Sequence, residues 1–297
     1  MRIKIFPKNE QAFSKFFIVL TPLFLLLLGT IALTKEAYFI FAAILPQNSF
    51  LNSGYLEKLN NHITYNLMLS FLIVFLTVYL LPKTLGRKLL IFPIFFLTSL
   101  GIIGLESLDL LLGVLFPNSF LFFGNTSYTL IFKILIFFGF VGLIILNILA
   151  KKEASLFVSS QYLFGASIFY LISLLIYRAD FVVFSDNFFI NSMYVSTHIY
   201  VGYSFVFLSL LHFMITKGIN ATLYSKTLGS IGFWGFLFLI PWSNFKFYFG
   251  SVLPNWIENI SLYLSISLSL PMLAVAVNFF RTVSTRIDEN KVIYSLI

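Results

Sequence analysis

The sequence predicts an all-α, polytopic integral membrane protein, a bundle of about eight transmembrane helices with both termini in the cytoplasm. Three observations predict it. First, 59% of the 297 residues are hydrophobic and only 10% are charged, against roughly 25% charged in an ordinary globular domain. Mean hydropathy is +0.96, which excludes a soluble enzyme. Second, apolar runs of bilayer length recur along the whole chain, a helix needing about 20 such residues to cross a core of about 30 Å. Third, the basic residues segregate between alternate connections.

The first run, 16–34, continues without a small-residue cleavage site and reads as a retained helix rather than a signal peptide. The segment after it, 35–61, is the longest between runs, and its apolar stretch Ala37–Leu45 reads as an outer re-entrant or interfacial piece. The second run, 62–81, opens on His62. The third, 89–116, carries Glu106 and Asp109, and the fourth, 128–149, carries Lys133. A fifth run spans 155–176, and the sixth, 193–216, holds His198 and His212. The seventh, 227–242, is the shortest, and the eighth is 260–280. Pro46, Pro82, Pro117, Pro241 and Pro254 fall at or near the ends of these runs, where a missing N–H matters least. No stretch is large and polar enough for a soluble domain, so residues 1–297 read as a single transmembrane domain.

With the N-terminus inside, the cytoplasmic segments hold fourteen of the nineteen Lys and Arg, among them Lys83, Lys88, Lys217 and Lys226. The outer segments 35–61, 117–127, 177–192 and 243–259 hold only Lys35, Lys58, Arg178 and Lys246. This is the positive-inside pattern of an even helix count. The formal charge of +8 is therefore topological, and the expected partner is the lipid bilayer rather than nucleic acid. With no cysteine, thiolate metal sites, iron–sulfur clusters and covalent c-type haem are excluded.

Polar chemistry inside the membrane is sparse. His62 and His198 both open their helices at the outer side, whereas His212 lies fourteen residues further along, about 21 Å deeper at 1.5 Å per residue. Two imidazoles at one depth make a haem or metal role conceivable. A single interfacial histidine is more often hydrogen-bonded to a carbonyl or water. Glu106 and Asp109, three residues apart, share a helix face toward the outer end of the third run, and Lys133 sits near the same level in the fourth. Charges at that depth need partners. The three read first as a structural ion pair and second as part of a proton or ion path. No catalytic constellation, phosphate loop or three-ligand metal set is present.

Four sequence stretches carry a resemblance: Ser196-Thr197-His198-Ile199-Tyr200-Val201-Gly202; Phe233-Trp234 followed by Pro241-Trp242; Leu253-Pro254-Asn255-Trp256; and Leu270-Pro271. Together they resemble subunit I of the haem–copper oxidase superfamily, in the branch of the C-type (cbb-type) cytochrome oxidases and nitric oxide reductases. In that family a histidine near the outer start of the sixth helix binds the active-site metal, and one near the outer start of the second carries a low-spin haem. His198 and His62 occupy similar places, His62 being followed by Thr64, Asn66, Tyr79, Lys83 and Thr84. The resemblance covers roughly residues 55–285. It implies a respiratory electron-transport setting in a bacterial or archaeal cytoplasmic membrane.

Departures from the family pattern are as informative. In ungapped register the family's tandem metal-binding histidines fall on Lys246 and Phe247, its active-site tyrosine falls on Ile240, and no histidine follows His212. The family's later helices, including the one with two haem-ligating histidines, have no counterpart here. Counted from the inner helix ends, His62 and His198 are displaced by about two residues, or about 200° of rotation. The expectation is an accessory relative without oxygen or nitric oxide chemistry of its own, placed beside other respiratory oxidase subunits. The alternatives are an electron-transfer subunit, in which His62 or His198 ligates a b-type haem completed by a partner chain, and an unrelated transporter or channel.

Overall fold

The computed structural model describes residues 62–86, 88–115, 127–150, 158–183, 196–218, 222–243, 245 and 254–289. Eight α-helices run through them: α1 (Met68–Leu85), α2 (Phe92–Leu115), α3 (Ser127–Leu149), α4 (Val158–Val183), α5 (Gly202–Phe213), α6 (Lys226–Ser243), α7 (Asn255–Ser267) and α8 (Ser269–Glu289). There is no strand among the described residues. Three π-helical turns extend α1 and α5: His62–Leu67 leads into α1, while Ser196–Val201 and Met214–Gly218 flank α5.

Five stretches are long and apolar enough to cross a bilayer, namely Met68–Leu85, Phe92–Leu112, Thr129–Leu149, Val158–Ile176 and Asn255–Ser284. The chain is therefore a helical integral membrane protein in contact with lipid. Of the remaining expected runs, 193–216 contributes the shorter apolar piece Gly202–Thr216. The run at 227–242 becomes α6, whose 18 residues include Lys226, three glycines and Pro241 and so fall short in hydropathy. The run at 16–34 lies outside the described residues. The run at 260–280 sits within a longer helical stretch that starts at Asn255 and is interrupted at Leu268. Pro271 explains the interruption, because a proline ring is accommodated only in the first turn of a helix, and α8 begins two residues before it.

The chain forms two compact units, Met1–Lys152 and Glu153–Ile297. In the first, α1 is buried on nearly every side. Its hydroxyls Ser70, Thr77 and Thr84 donate back to the carbonyls of Leu67 (3.0 Å), Ile73 (2.6 Å) and Leu81 (3.1 Å), which satisfies polar side chains inside the helix as an apolar surrounding demands. α1 ends at Gly86, whose φ of 65° is left-handed and whose N–H bonds the Pro82 carbonyl, a cap that suits glycine because it lacks a Cβ. At the other end of this short connection Ile91 also has a positive φ, 53°, and its carbonyl accepts from Ile94 N (3.0 Å) and Phe95 N (3.1 Å) to start α2. Between them the Leu90 N–H donates to Asn147 Oδ1 of α3 at 2.8 Å, and Asn147 is fully buried. α2 and α3 then run antiparallel, with Phe95 against Phe140 at 5.1 Å between ring centroids.

In the second unit α4 and α5 are antiparallel as well. Ser209 Oγ donates to the Ser159 carbonyl at 2.8 Å, Tyr162 stacks on His212, and Phe205 packs beside Gly165, where an added Cβ would come within 2.7 Å of its ring. α6 lies across this pair through Phe233, which meets Tyr162 and Phe205 at 5.4 Å each. Its N-terminus is held by α8: Asn278 Oδ1 accepts from Ser225 N (3.0 Å) and Thr282 Oγ1 from Tyr224 N (3.0 Å). Its C-terminus is tied to α7, where Ser265 Oγ donates to the Ser243 carbonyl at 3.1 Å.

Candidate functional site

The sequence-derived residues belong to both units. In the first unit α2 presents Glu106 and Asp109 one turn apart on one face, and α3 presents Lys133 to them. Lys133 Nζ lies 2.8 Å from Glu106 Oε2 and 2.5 Å from Asp109 Oδ2. The first contact is a hydrogen bond. The second is an ion pair without hydrogen-bond geometry, and neither Asp109 oxygen has a hydrogen-bond partner. All three side chains are at least 93% buried. In such surroundings the attraction offsets desolvation only while the partners stay together, so the cluster fixes α2 against α3. Its chemistry suits holding charge.

His62 opens the π-helical turn before α1; its side chain lies outside the described residues. His198 sits within the π-helical turn before α5 and is completely buried. Its ring packs against Tyr170 at 4.8 Å, and its Nδ1 lies 2.6 Å from Ser173 Oγ. The same serine hydroxyl bonds the Tyr170 carbonyl at 2.7 Å. A carbonyl only accepts and a hydroxyl has one hydrogen. Ser173 therefore spends its hydrogen on Tyr170 and accepts from the His198 Nδ1–H. In the neutral ring this fixes the hydrogen on Nδ1.

His212, one turn from the end of the same helix system, follows the same logic. Its Nδ1 donates to the Leu208 carbonyl at 2.8 Å, and its ring stacks on Tyr162 at 5.1 Å and 25°. No group of three or more His, Asp or Glu side chains that could hold a metal occurs among the described residues. Sequence reasoning did not single out Ser173, Tyr170 or Tyr162. The signal that would find them is the antiparallel pairing of α4 with α5, which sets Tyr162 opposite His212 and Tyr170 and Ser173 opposite His198. Lys246 and Phe247, where the resemblance places missing metal ligands, lie outside the described residues; Ile240 is buried in α6.

Comparison with known proteins gives a partial likeness. The chain is 29% identical over 83 residues to a cytochrome c oxidase subunit 1 homolog of Agrobacterium tumefaciens (strain T37). The match covers 28% of this chain and 15% of that relative. No family model matches the chain.

Proposed function

We propose that this protein is a membrane-embedded, accessory relative of haem–copper oxidase subunit I, of the C-type cytochrome oxidase and nitric oxide reductase branch, that works beside respiratory subunits without reducing oxygen or nitric oxide itself. The observation that carries the reading is the partial likeness to a cytochrome c oxidase subunit 1 homolog in a chain built of apolar, membrane-length helices. In this reading residues 1–297 form one domain of eight spans in a bacterial or archaeal cytoplasmic membrane, with both termini inside. Glu106, Asp109 and Lys133 serve as a structural ion cluster. The accessory role follows from the donor set: the positions aligned with the family's distal-metal histidines are Lys246 and Phe247, and an ammonium repels a cation.

The geometry at His198 favours a second reading. In that reading the buried His198 imidazole, held at Nδ1 by Ser173, would be one ligand of a b-type haem, a one-electron centre, and a partner chain would supply the other. An unrelated transporter or channel is the third reading, for which no described residue offers a specific observation. A reduced-minus-oxidised optical spectrum of the purified protein, with an oxygen-consumption assay, separates the readings. The accessory reading expects no Soret or α band and no turnover from this chain alone. A haem spectrum lost in His198→Ala would establish the second reading instead, and oxygen consumption lost in the same variant would refute the accessory one.

A further inference from the structure

Three buried polar atoms in the second unit lie on neighbouring helices and lack hydrogen-bond partners: Tyr162 Oη on α4, His212 Nε2 on α5 and Asn278 Nδ2 on α8. Each residue is at least 99% buried. Their contacts put them in one neighbourhood. Tyr162 and His212 are stacked, and His212 also packs on Phe279, the residue after Asn278, at 4.6 Å. On α6, Gly229 and Gly232 stand one turn apart on a single face. A Cβ on the first would sit 3.5 Å from Asn278 Nδ2, and a Cβ on the second 2.8 Å from Tyr162 Oη. Ser159, one turn before Tyr162 on α4, adds a fourth unpartnered atom, its Oγ.

The chemistry of the atoms is defined by the bonds their residues already make. His212 Nδ1 donates to Leu208, so in the neutral ring Nε2 is an acceptor. Asn278 Oδ1 accepts from the Ser225 N–H, so the remaining amide nitrogen is a donor. The Tyr162 hydroxyl can do both. A guest satisfying all three must donate to one and accept from another. Buried polar groups are nearly always hydrogen-bonded, and a buried water makes about three such bonds.

We propose that Tyr162, His212 and Asn278 form an internal water-binding site between α4, α5, α6 and α8, in which ordered water donates to His212 Nε2, accepts from Asn278 Nδ2 and bonds the Tyr162 hydroxyl. The site is independent of the oxidase reading. It gives the second unit a hydrated point where two aromatic, titratable side chains meet.

Tyr162→Phe tests it by the sign of its effect. The variant keeps the ring packed and removes only the hydroxyl. A water-bonded hydroxyl is worth keeping, so the melting temperature of the purified full chain falls by about 2–4 °C. Radiolytic labelling in heavy-oxygen water provides the second measurement: water bound beside Tyr162 marks it in spite of its burial, alongside Tyr224, which is 54% exposed. A melting temperature for Tyr162→Phe equal to or above the parent's, or label on Tyr224 with none on Tyr162, overturns the proposal.

Discussion

Replacing Lys133 by methionine is expected to be among the most damaging single changes in the first unit. The substitution keeps the length and apolar stem of the side chain and removes only the ammonium. In the parent that ammonium touches two carboxylates, at 2.8 Å and 2.5 Å, with side-chain exposures of 3% for Lys133, 2% for Glu106 and 7% for Asp109. Taking away one member of a buried ionic cluster leaves the others without compensation and costs about 3–5 kcal/mol. A melting-temperature loss on the order of 10 °C corresponds. Glu106→Gln should cost less, because Lys133 and Asp109 remain as a matched pair and glutamine can still accept from the ammonium. The triple variant Lys133→Met, Glu106→Gln, Asp109→Asn should recover much of the loss, since no charge is then left buried. Thermal melts of the solubilised full-length protein, read by size-exclusion recovery, measure all three. The reasoning fails if Lys133→Met melts with the parent, or if the triple variant is as unstable as the single.

Other outcomes follow from the packing and from the proposed orientation. Gly165→Ala places a methyl 2.7 Å from the Phe205 ring and 2.8 Å from Phe233, an overpacking expected to destabilise by about 1–3 kcal/mol; Gly142→Ala, with nothing within 4 Å, should be neutral or stabilise α3 by up to about 1 kcal/mol, and melts of both variants test the contrast. Asn147→Leu deprives the part-buried Leu90 N–H of its acceptor and should cost about 1 kcal/mol, seen as a lower melting temperature and faster proteolysis near residue 90. Ser173→Ala removes the acceptor for the His198 Nδ1–H and should cost about 1–3 kcal/mol, whereas Ser173→Thr retains a hydroxyl and should lie closer to the parent. For the N-in, C-in orientation, single cysteines at the exposed Lys88 and Asn255 in this cysteine-free chain should react with an impermeant reagent from the cytoplasmic and external sides respectively; reaction of both from one side contradicts it.

What the sequence made legible was what depends on length and composition. Runs at 62–81, 89–116, 128–149 and 155–176 coincide with helices because an apolar stretch in a bilayer has to satisfy its own backbone. The approach of Lys133 to Glu106 and Asp109 involves nothing beyond a three-residue spacing on one helix and similar depth on the next. The histidine surroundings were another matter. Both His62 and His198 lie in π-helical turns, and rotation counted at 3.6 residues per turn loses its meaning across an i→i+5 segment. A register estimate of about 200° therefore could not place either ring. Ser173 and Tyr162 were hidden for a second reason: they reach the histidines across an interhelical contact 25 and 50 residues away in sequence, and no local pattern reports which faces of α4 and α5 meet. α6 was read by its apolar content, while its glycines, which let α4 and α8 come close, pulled its hydropathy down.

The connection from α1 to α2 has a practical corollary. It is anchored at Gly86 by a left-handed cap, at Leu90 by the Asn147 side chain and at Ile91 by a second left-handed residue. Although Lys88 and Leu90 reach the surface, this turn should reject an inserted epitope or fluorescent fusion that an ordinary surface loop would take. A linker there would have to unlock both left-handed residues and pull Leu90 away from α3, so a tag inserted between residues 86 and 91 reports on damage to the first unit rather than on its location.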